Sequence, residues 1–397
     1  MSRGRIPLGH FPADPSRIVY KIYPMMSDSM IIAAAPGRGK SVIARLVYAC
    51  IAERRPIIVI DWEGEDHRFS AYANSQPVNL PPMMGPAPVR KSLFFNYSRN
   101  RMKHERLVIP SLTAYNSSEL RCLGIPAGGC MKLQALLRKY GDQFENMEDL
   151  IDCVQRFPTN DSQIAQAKKR FKNRKCRWDY GNSSMPGSTK QSLDKYLNDM
   201  LLQEVFTVNR GSIPDYVRLL DQGYNLFLSF GGLKDVARAE TARILNLVID
   251  YCKKNSRGKV PYFWFEELDA LCPRFFDDME EKKKSEYATY TLAEAYRRAR
   301  KQGIGLGGLC PNPINLHKTI MDLSEEKVFG QLSGENLQEV LRCTSPFVKN
   351  IVRGLRFNKY TQYREFVYYN SLRQVFKFIP YECPQEIHRE RKVRGVA

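Results

Sequence analysis

Residues 30–41, MIIAAAPGRGKS, restrict the fold of this chain more than any other stretch. The apolar run from Met30 to Ala33 reads as a short buried strand, and a glycine-rich turn follows it directly. Gly37 and Gly39 permit backbone angles that aim successive amide N–H groups inward at one anion. The amphipathic stretch KSVIARLVYACIAE opens near Lys40 and turns the positive end of a helix toward the same point. PIIVID, residues 56–61, then supplies the next parallel strand. Without those flanks the glycines would read as a surface turn; strand, turn, helix and strand in order make a phosphate-binding turn in an α/β protein.

The pattern A-x-x-x-x-G-K-S from Ala34 to Ser41 is a Walker A loop with alanine at its first glycine position. Ala35, Pro36, Gly37, Arg38, Gly39, Lys40, Ser41 and Val42 are the candidate nucleotide-binding residues. Lys40 would sit on the β- and γ-phosphates, and Ser41 would bring a hydroxyl to Mg2+. A second stretch, VPYFWFEELDALCP at residues 260–273, is a run of β-formers closed by two glutamates, the Walker B arrangement. Glu266 would hold the metal through its water shell, and Glu267 would orient or deprotonate the attacking water. Aspartate is commoner where Glu266 stands, and the extra methylene changes its reach. Asp269 reads as a residue that caps or orients the following segment.

Sixty-one Lys and Arg against 42 Asp and Glu leave a net charge of +19, which points to a polyanionic partner, nucleic acid or an acidic membrane surface. The ten cysteines are scattered from Cys50 to Cys383, with no C-x-x-C pair and no cluster at zinc-ligand spacing. That pattern fits a reduced intracellular protein with buried thiols, not a disulfide scaffold. Apolar runs fall short of the roughly 18–20 residues that span a bilayer. The opening MSRGRIPLGHFPADPSR has no apolar signal-peptide core, so a cytoplasmic chain is expected.

Several segments, in order, resemble the HerA and FtsK group of hexameric DNA-pumping ATPases and their conjugative relatives. IVYKIYPMMSDSMIIAAAPGRGKS is similar to their lead-in strand and Walker A loop. IIVIDWEGED resembles their second strand, ending in an aspartate and a G-E pair, here Asp61, Gly64 and Glu65. NMEDLIDCV is similar to a helix of their inserted region, and GYNLFLSFGGLKDVARAETARILNLVIDYC to the strand, loop and helix before Walker B. AEAYRRARKQGIGLGGLCPNPINL resembles their arginine-bearing helix, G-x-x-L strand and sensor region. The glutamine that usually follows the fourth core strand is replaced by Cys310, Pro311 or Asn312, of which only Asn312 can report a γ-phosphate by hydrogen bonding. The barrel domain of cellular HerA does not fit in the roughly thirty residues before the loop, which favours a virus, plasmid or other mobile-element motor.

The resemblance implies a RecA-like core of mainly parallel sheet flanked by helices, formed by residues 1–66 and 216–397, with a mostly helical insertion at 67–215. It implies ATP and Mg2+ as cofactors, double-stranded DNA bound without sequence preference, and assembly into a ring, a hexamer, with a membrane-bound or capsid docking partner. Arg298 and Arg300 are the candidates for the arginine that a neighbouring subunit inserts at the γ-phosphate; a surface ion-pair role is the alternative. Within the insertion, DSQIAQAKKRFKNRKCRW carries Lys168, Lys169, Arg170, Lys172, Arg174, Lys175 and Arg177 in helical context, facing either DNA or solvent. NSQPVNLPPMMGPAPVRK is a Pro-rich loop, SRGKVPYFW opens with a turn, REFVYYN and QVFKFIP read as a hairpin, and HRERKVRGVA is a basic tail. Two other functions share these motifs: a secretion or pilus ATPase moving protein or nucleoprotein, and a nucleotide-gated assembly protein that hydrolyses little.

Overall fold

Met30, Ile31 and Ile32 are fully buried, because the strand they form is covered on both faces. The computed structural model describes residues 5–22, 28–52, 55–62, 92–98, 106–174, 177–208, 214–255, 260–358, 363–370 and 372–381. Its strands are β1 (Arg5–Phe11), β2 (Asp14–Ile22), β3 (Asp28–Ala33), β4 (Ile57–Asp61), β5 (Ser92–Asn96), β6 (Arg106–Leu107), β7 (Asn225–Ser229), β8 (Tyr262–Phe265), β9 (Gly305–Cys310), β10 (Glu326–Phe329), β11 (Phe357–Asn358), β12 (Tyr363–Arg364), β13 (Phe366–Tyr369) and β14 (Val375–Pro380). Twelve of them form one sheet in the order β2-β1-β14-β13-β10-β3-β9-β8-β4-β7-β5-β6.

From β10 to β6 every neighbouring pair is parallel, while β13, β14, β1 and β2 extend the other edge antiparallel. Burial on both faces explains the near-continuous apolar runs of β3, β4 and β8. Alternate residues serve the two faces. Met30 and Ile32 join the helix Lys40–Ala52 through Ile43, Ala44 and Val47, and Ile31 and Ala33 face the opposite layer. That layer holds the helices Lys234–Lys254 and Met279–Gln302. β9 lies between β3 and β8 and is built as GLGGLC because its neighbour is aromatic: a Cβ on Gly307 would stand 2.6 Å from the Trp264 ring.

The insertion is helical over Ser117–Cys122, Ala127–Tyr140, Met147–Gln155, Asp161–Lys172 and Gly187–Gln203. The first of these starts at Ser117 and is capped by Asn116, which closes a capping box with Glu119. Residues 92–96 and 106–107, which the sequence reading placed in the insertion, extend the sheet beyond β7. The helices that follow share one continuous apolar core with the sheet. A buried polar knot fastens this junction: Arg243 grips Glu240 through Nε (2.9 Å) and Nη2 (2.7 Å), and Tyr97 Oη donates to Glu240 at 2.9 Å and is hydrogen-bonded to Tyr216.

The terminal hairpin forms as its alternation predicts, with Phe366 opposite Phe378 and Tyr368 opposite Phe376. At its base Lys21 of β2 pairs with buried Glu326 of β10, which also accepts from Tyr368 Oη at 2.5 Å. The described cysteines are free thiols. Among the described residues no helix is long and apolar enough to cross a membrane. Gly64 and Glu65, the Pro-rich loop, the turn at 256–259, Lys175 and the basic tail lie outside the described residues.

Candidate nucleotide site

Because β3, β9 and β8 run parallel, their C-terminal ends open at the same edge, and the site is built there. Gly37 and Gly39 have φ of 72° and 86°, the left-handed region that their lack of a Cβ permits. The Arg38 amide donates to the Ala35 carbonyl at 3.2 Å and so closes the turn. Among the described residues the amides of Gly37, Gly39, Lys40 and Ser41 have no backbone acceptor outside the helix, as amides left for an anion would. The amide of Ala35, one of the candidate nucleotide-binding residues, donates to the Gln331 carbonyl at 3.2 Å. Lys40 Nζ spans the turn to the Ala35 carbonyl at 3.4 Å.

Around that lysine stand three carboxylates. Burial pushes the Lys40 ammonium below its ordinary range, opposed by the nearby Asp269, Cys310, Glu267 and Glu266. Glu266 is buried at the end of β8, where the Trp264 indole N–H donates to its Oε1 at 3.0 Å. Glu267 has φ 51° and ψ 60°. Left-handed backbone at a glutamate costs on the order of 1–3 kcal/mol, and it swings this side chain out of the strand direction into a partly exposed position.

Asp269, read from the sequence as capping or orienting the following segment, is buried beside Lys40. Burial raises its carboxyl to about 6, against the amides of its own backbone and of Asn312 and the charge of Lys40. Its Oδ1 has no hydrogen-bond partner among the described residues. The folded protein therefore holds the Asp269 proton more tightly than the unfolded chain, whose carboxyl titrates near 3.8. Stability is full below that pH and falls as pH rises through about 6, by roughly 3 kcal/mol. Asp269→Asn should remove this loss and leave the nucleotide-free protein more stable than wild type at pH 7, as read from urea midpoints at pH 4.5 and 7.

Two arginines from the loop and a distant hairpin meet over the turn. Arg38 lies 4.3 Å over the Phe357 ring. Opposite Phe357 in the β11–β12 pair is Arg364, whose Nη1 would stand 2.5 Å from a Cβ on Gly39. The φ of Gly39 favours glycine there, and the Arg364 side chain lies against it. Buried Glu365 anchors the hairpin, its carboxyl held down to about 2 chiefly by Arg356 and Lys377 despite burial.

The sequence candidates divide. Lys40, Ser41, Glu266, Glu267 and the loop residues come to one edge, and Asn312 reaches it through Asp269. Arg298 is exposed on the helix Met279–Gln302, with Nη2 3.2 Å from Glu294, and the Arg300 side chain lies outside the described residues. Asp269 and Arg364 stand beside these residues; the sequence reading gave Asp269 only a capping or orienting role and did not name Arg364. The E-E-L-D spacing, which returns Asp269 one turn after Glu266, was a usable signal; nothing local marks Arg364.

No protein-family model matches the chain, and no curated protein matches it. Among solved structures, the plasmid coupling protein TrwB in complex with ADP and Mg2+ aligns over 90% of this chain and 85% of its own, at 14% identity and a TM-score of 0.54. The chain shares that protein's fold. The trigonal form of the same bacterial conjugative coupling protein, with sulphate, gives 0.50 at 14% identity over 89% of this chain and 77% of its own. The genome packaging NTPase B204 of Sulfolobus turreted icosahedral virus 2 covers 98% of its length and 89% of this chain, but at 9% identity and a TM-score of 0.39 it adds no argument. These two structures agree with the RecA-like α/β fold class read from the sequence.

Proposed function

We propose that the chain is an ATP-driven DNA translocase of a virus, plasmid or other mobile element, working as a ring. The observation that carries this reading is Lys40 set among Glu266, Glu267 and Asp269 beside a turn with amides that have no backbone acceptor among the described residues. One lysine among three carboxylates leaves a negative balance that a divalent cation would neutralise, and the partnerless Asp269 Oδ1 points to the same need. These residues fit Mg2+. Among the described residues no cluster of His, Cys, Asp and Glu could hold a metal ion alone, so a nucleotide phosphate would complete its shell. Ser41 and, through water, Glu266 would hold the ion, which polarises the terminal phosphate. Lys40 and Arg364 neutralise charge on the phosphates, Glu267 takes the proton of the attacking water, and Asp269 and Asn312 position Lys40.

DNA as cargo is supported by the +19 charge and by the helix Asp161–Lys172, which buries no side chain and ends in Lys168, Lys169, Arg170 and Lys172. Double-stranded DNA should raise ATP turnover several-fold, with affinity falling steeply as salt rises. Turnover indifferent to DNA moves the reading to a protein-secreting ATPase, and absent turnover moves it to a nucleotide-gated assembly protein. For the ring, a hexamer, Arg298 and Arg300 remain the candidates in trans. Arg298→Ala or Arg300→Ala should abolish turnover with ATP binding intact, and normal rates in both would exclude them.

A further inference from the structure

The short helix Leu268–Leu271 follows Glu267 directly: Glu267 is its N-cap, in left-handed backbone, and Asp269 is its second residue. A single helical turn fixes many dihedrals for few hydrogen bonds, so it does not hold itself. A left-handed glutamate likewise persists only where its surroundings over-determine it. Leu268 and Leu271 are buried and give the turn an apolar anchor. Arg238 supplies a polar one.

Arg238, on the helix Lys234–Lys254, is fully buried, and its Nη2 donates to the Ala270 carbonyl at 3.0 Å and to Glu281 Oε1 at 2.7 Å. Nη2 carries two hydrogens, so the carboxylate that takes one aims the other at Ala270. Lys234 Nζ also holds Glu281 Oε1, at 2.7 Å. Burial would raise the Glu281 carboxyl, but hydrogen bonds from Arg238 and Lys234 bring it down to about 2, so the anchor stays charged. Stability alone does not account for this arginine. Its Nε and Nη1 have no hydrogen-bond partner among the described residues, and Nη1 lies 3.7 Å from Asp235 Oδ1. A half-satisfied buried guanidinium is a weak stabiliser, since apolar replacement of buried ion pairs is often neutral or better. What it contributes is direction. It ties the turn, one residue beyond Asp269, to the two long helices Lys234–Lys254 and Met279–Gln302.

We infer that Arg238 is a positioning residue for hydrolysis: through the Ala270 carbonyl it holds the turn that sets Glu267 and Asp269 at the phosphate edge. The inference rests on the hydrolytic reading above and deepens it.

Arg238→Met and Lys234→Met each take one cation from Glu281, and Arg238 is the one that reaches Ala270. On the full chain, Arg238→Met should lower kcat about ten- to a hundredfold with KM and equilibrium ATP binding near wild type. Lys234→Met should leave kcat near wild type. Hydrogen exchange of the nucleotide-free proteins reads the turn itself. The amides of Ala270 and Cys272, which donate to the Glu267 and Leu268 carbonyls, should exchange about tenfold faster in Arg238→Met than in Lys234→Met. Should Arg238→Met fail to fold, Arg238→Lys, which keeps a cation for Glu281 but loses the planar fork, carries the same comparisons. Wild-type kcat in the Arg238 variant, equal exchange in the two variants, or a parallel fall of kcat, ATP affinity and urea midpoint in both overturns the inference. A wild type without turnover sinks the hydrolytic reading instead, and the exchange comparison then decides alone whether Arg238 holds the turn.

Discussion

Glu267→Gln is expected to lower ATP turnover by about 10²–10⁴-fold, the range for removing a general base, while ATP still binds. The carboxylate sits at the mouth of the phosphate turn, partly exposed, next to a lysine that its charge helps keep protonated. Glutamine keeps the shape and removes only proton acceptance, so affinity should survive. Lys40→Ala should differ in kind. It deletes a charge-assisted contact worth about 1.5–3 kcal/mol and should weaken ATP binding about ten- to a hundredfold, along with turnover. The left-handed backbone of Glu267 adds a further contrast. Glu267→Gly releases roughly 1–2 kcal/mol of backbone strain, so it should fold with little or no loss of stability and still be inactive. Steady-state hydrolysis and equilibrium binding on the same preparations separate these outcomes, and equal loss of binding in Glu267→Gln would contradict the base assignment.

Glu240→Ala is expected to destabilise the fold by about 3–5 kcal/mol, the penalty for leaving a buried ion without its partner. Arg243 and Glu240 are both buried, one turn apart on the helix Lys234–Lys254, and their bidentate contact is joined by the Tyr97 hydroxyl. Burial and the neighbouring carboxylate raise Tyr97 and Tyr216 above the usual phenol range, so both rings are uncharged donors here. Removing the carboxylate strands the guanidinium and two hydroxyls in an apolar layer shared by sheet and insertion. A thermal midpoint lowered on the order of 10 °C follows. Glu240→Gln, which keeps an acceptor, should lose less. A loss confined to the insertion, with the sheet unfolding at the wild-type midpoint, would contradict the single shared core.

What sequence reasoning reached was set by locality. The phosphate turn, both carboxylate positions and the terminal hairpin are each written within about a dozen residues, where period, glycine placement and flanking strands act together. β5 was missed because its five residues follow a Pro-rich stretch and earn their place only by pairing with β7, far along the chain. Nothing near Ala35 announces the Gln331 carbonyl that accepts from its amide. Arg364 over Gly39 is the clearest case: two short strands near the C-terminal end close on a loop near the start, and only the folded sheet brings them together. Asp269 was legible in spacing, but its burial beside Lys40 was not.

The account stands on Lys40 and the Glu266–Glu267 pair serving one metal-bound triphosphate. Electron paramagnetic resonance of Mn2+ bound with a slowly hydrolysed ATP analogue tests this most directly, in wild type and in Lys40→Ala, Ser41→Ala and Glu266→Gln. One nucleotide-dependent Mn2+ site in wild type, weakened or lost in all three variants, is the predicted result. A nucleotide-dependent site that all three variants leave unchanged would contradict it.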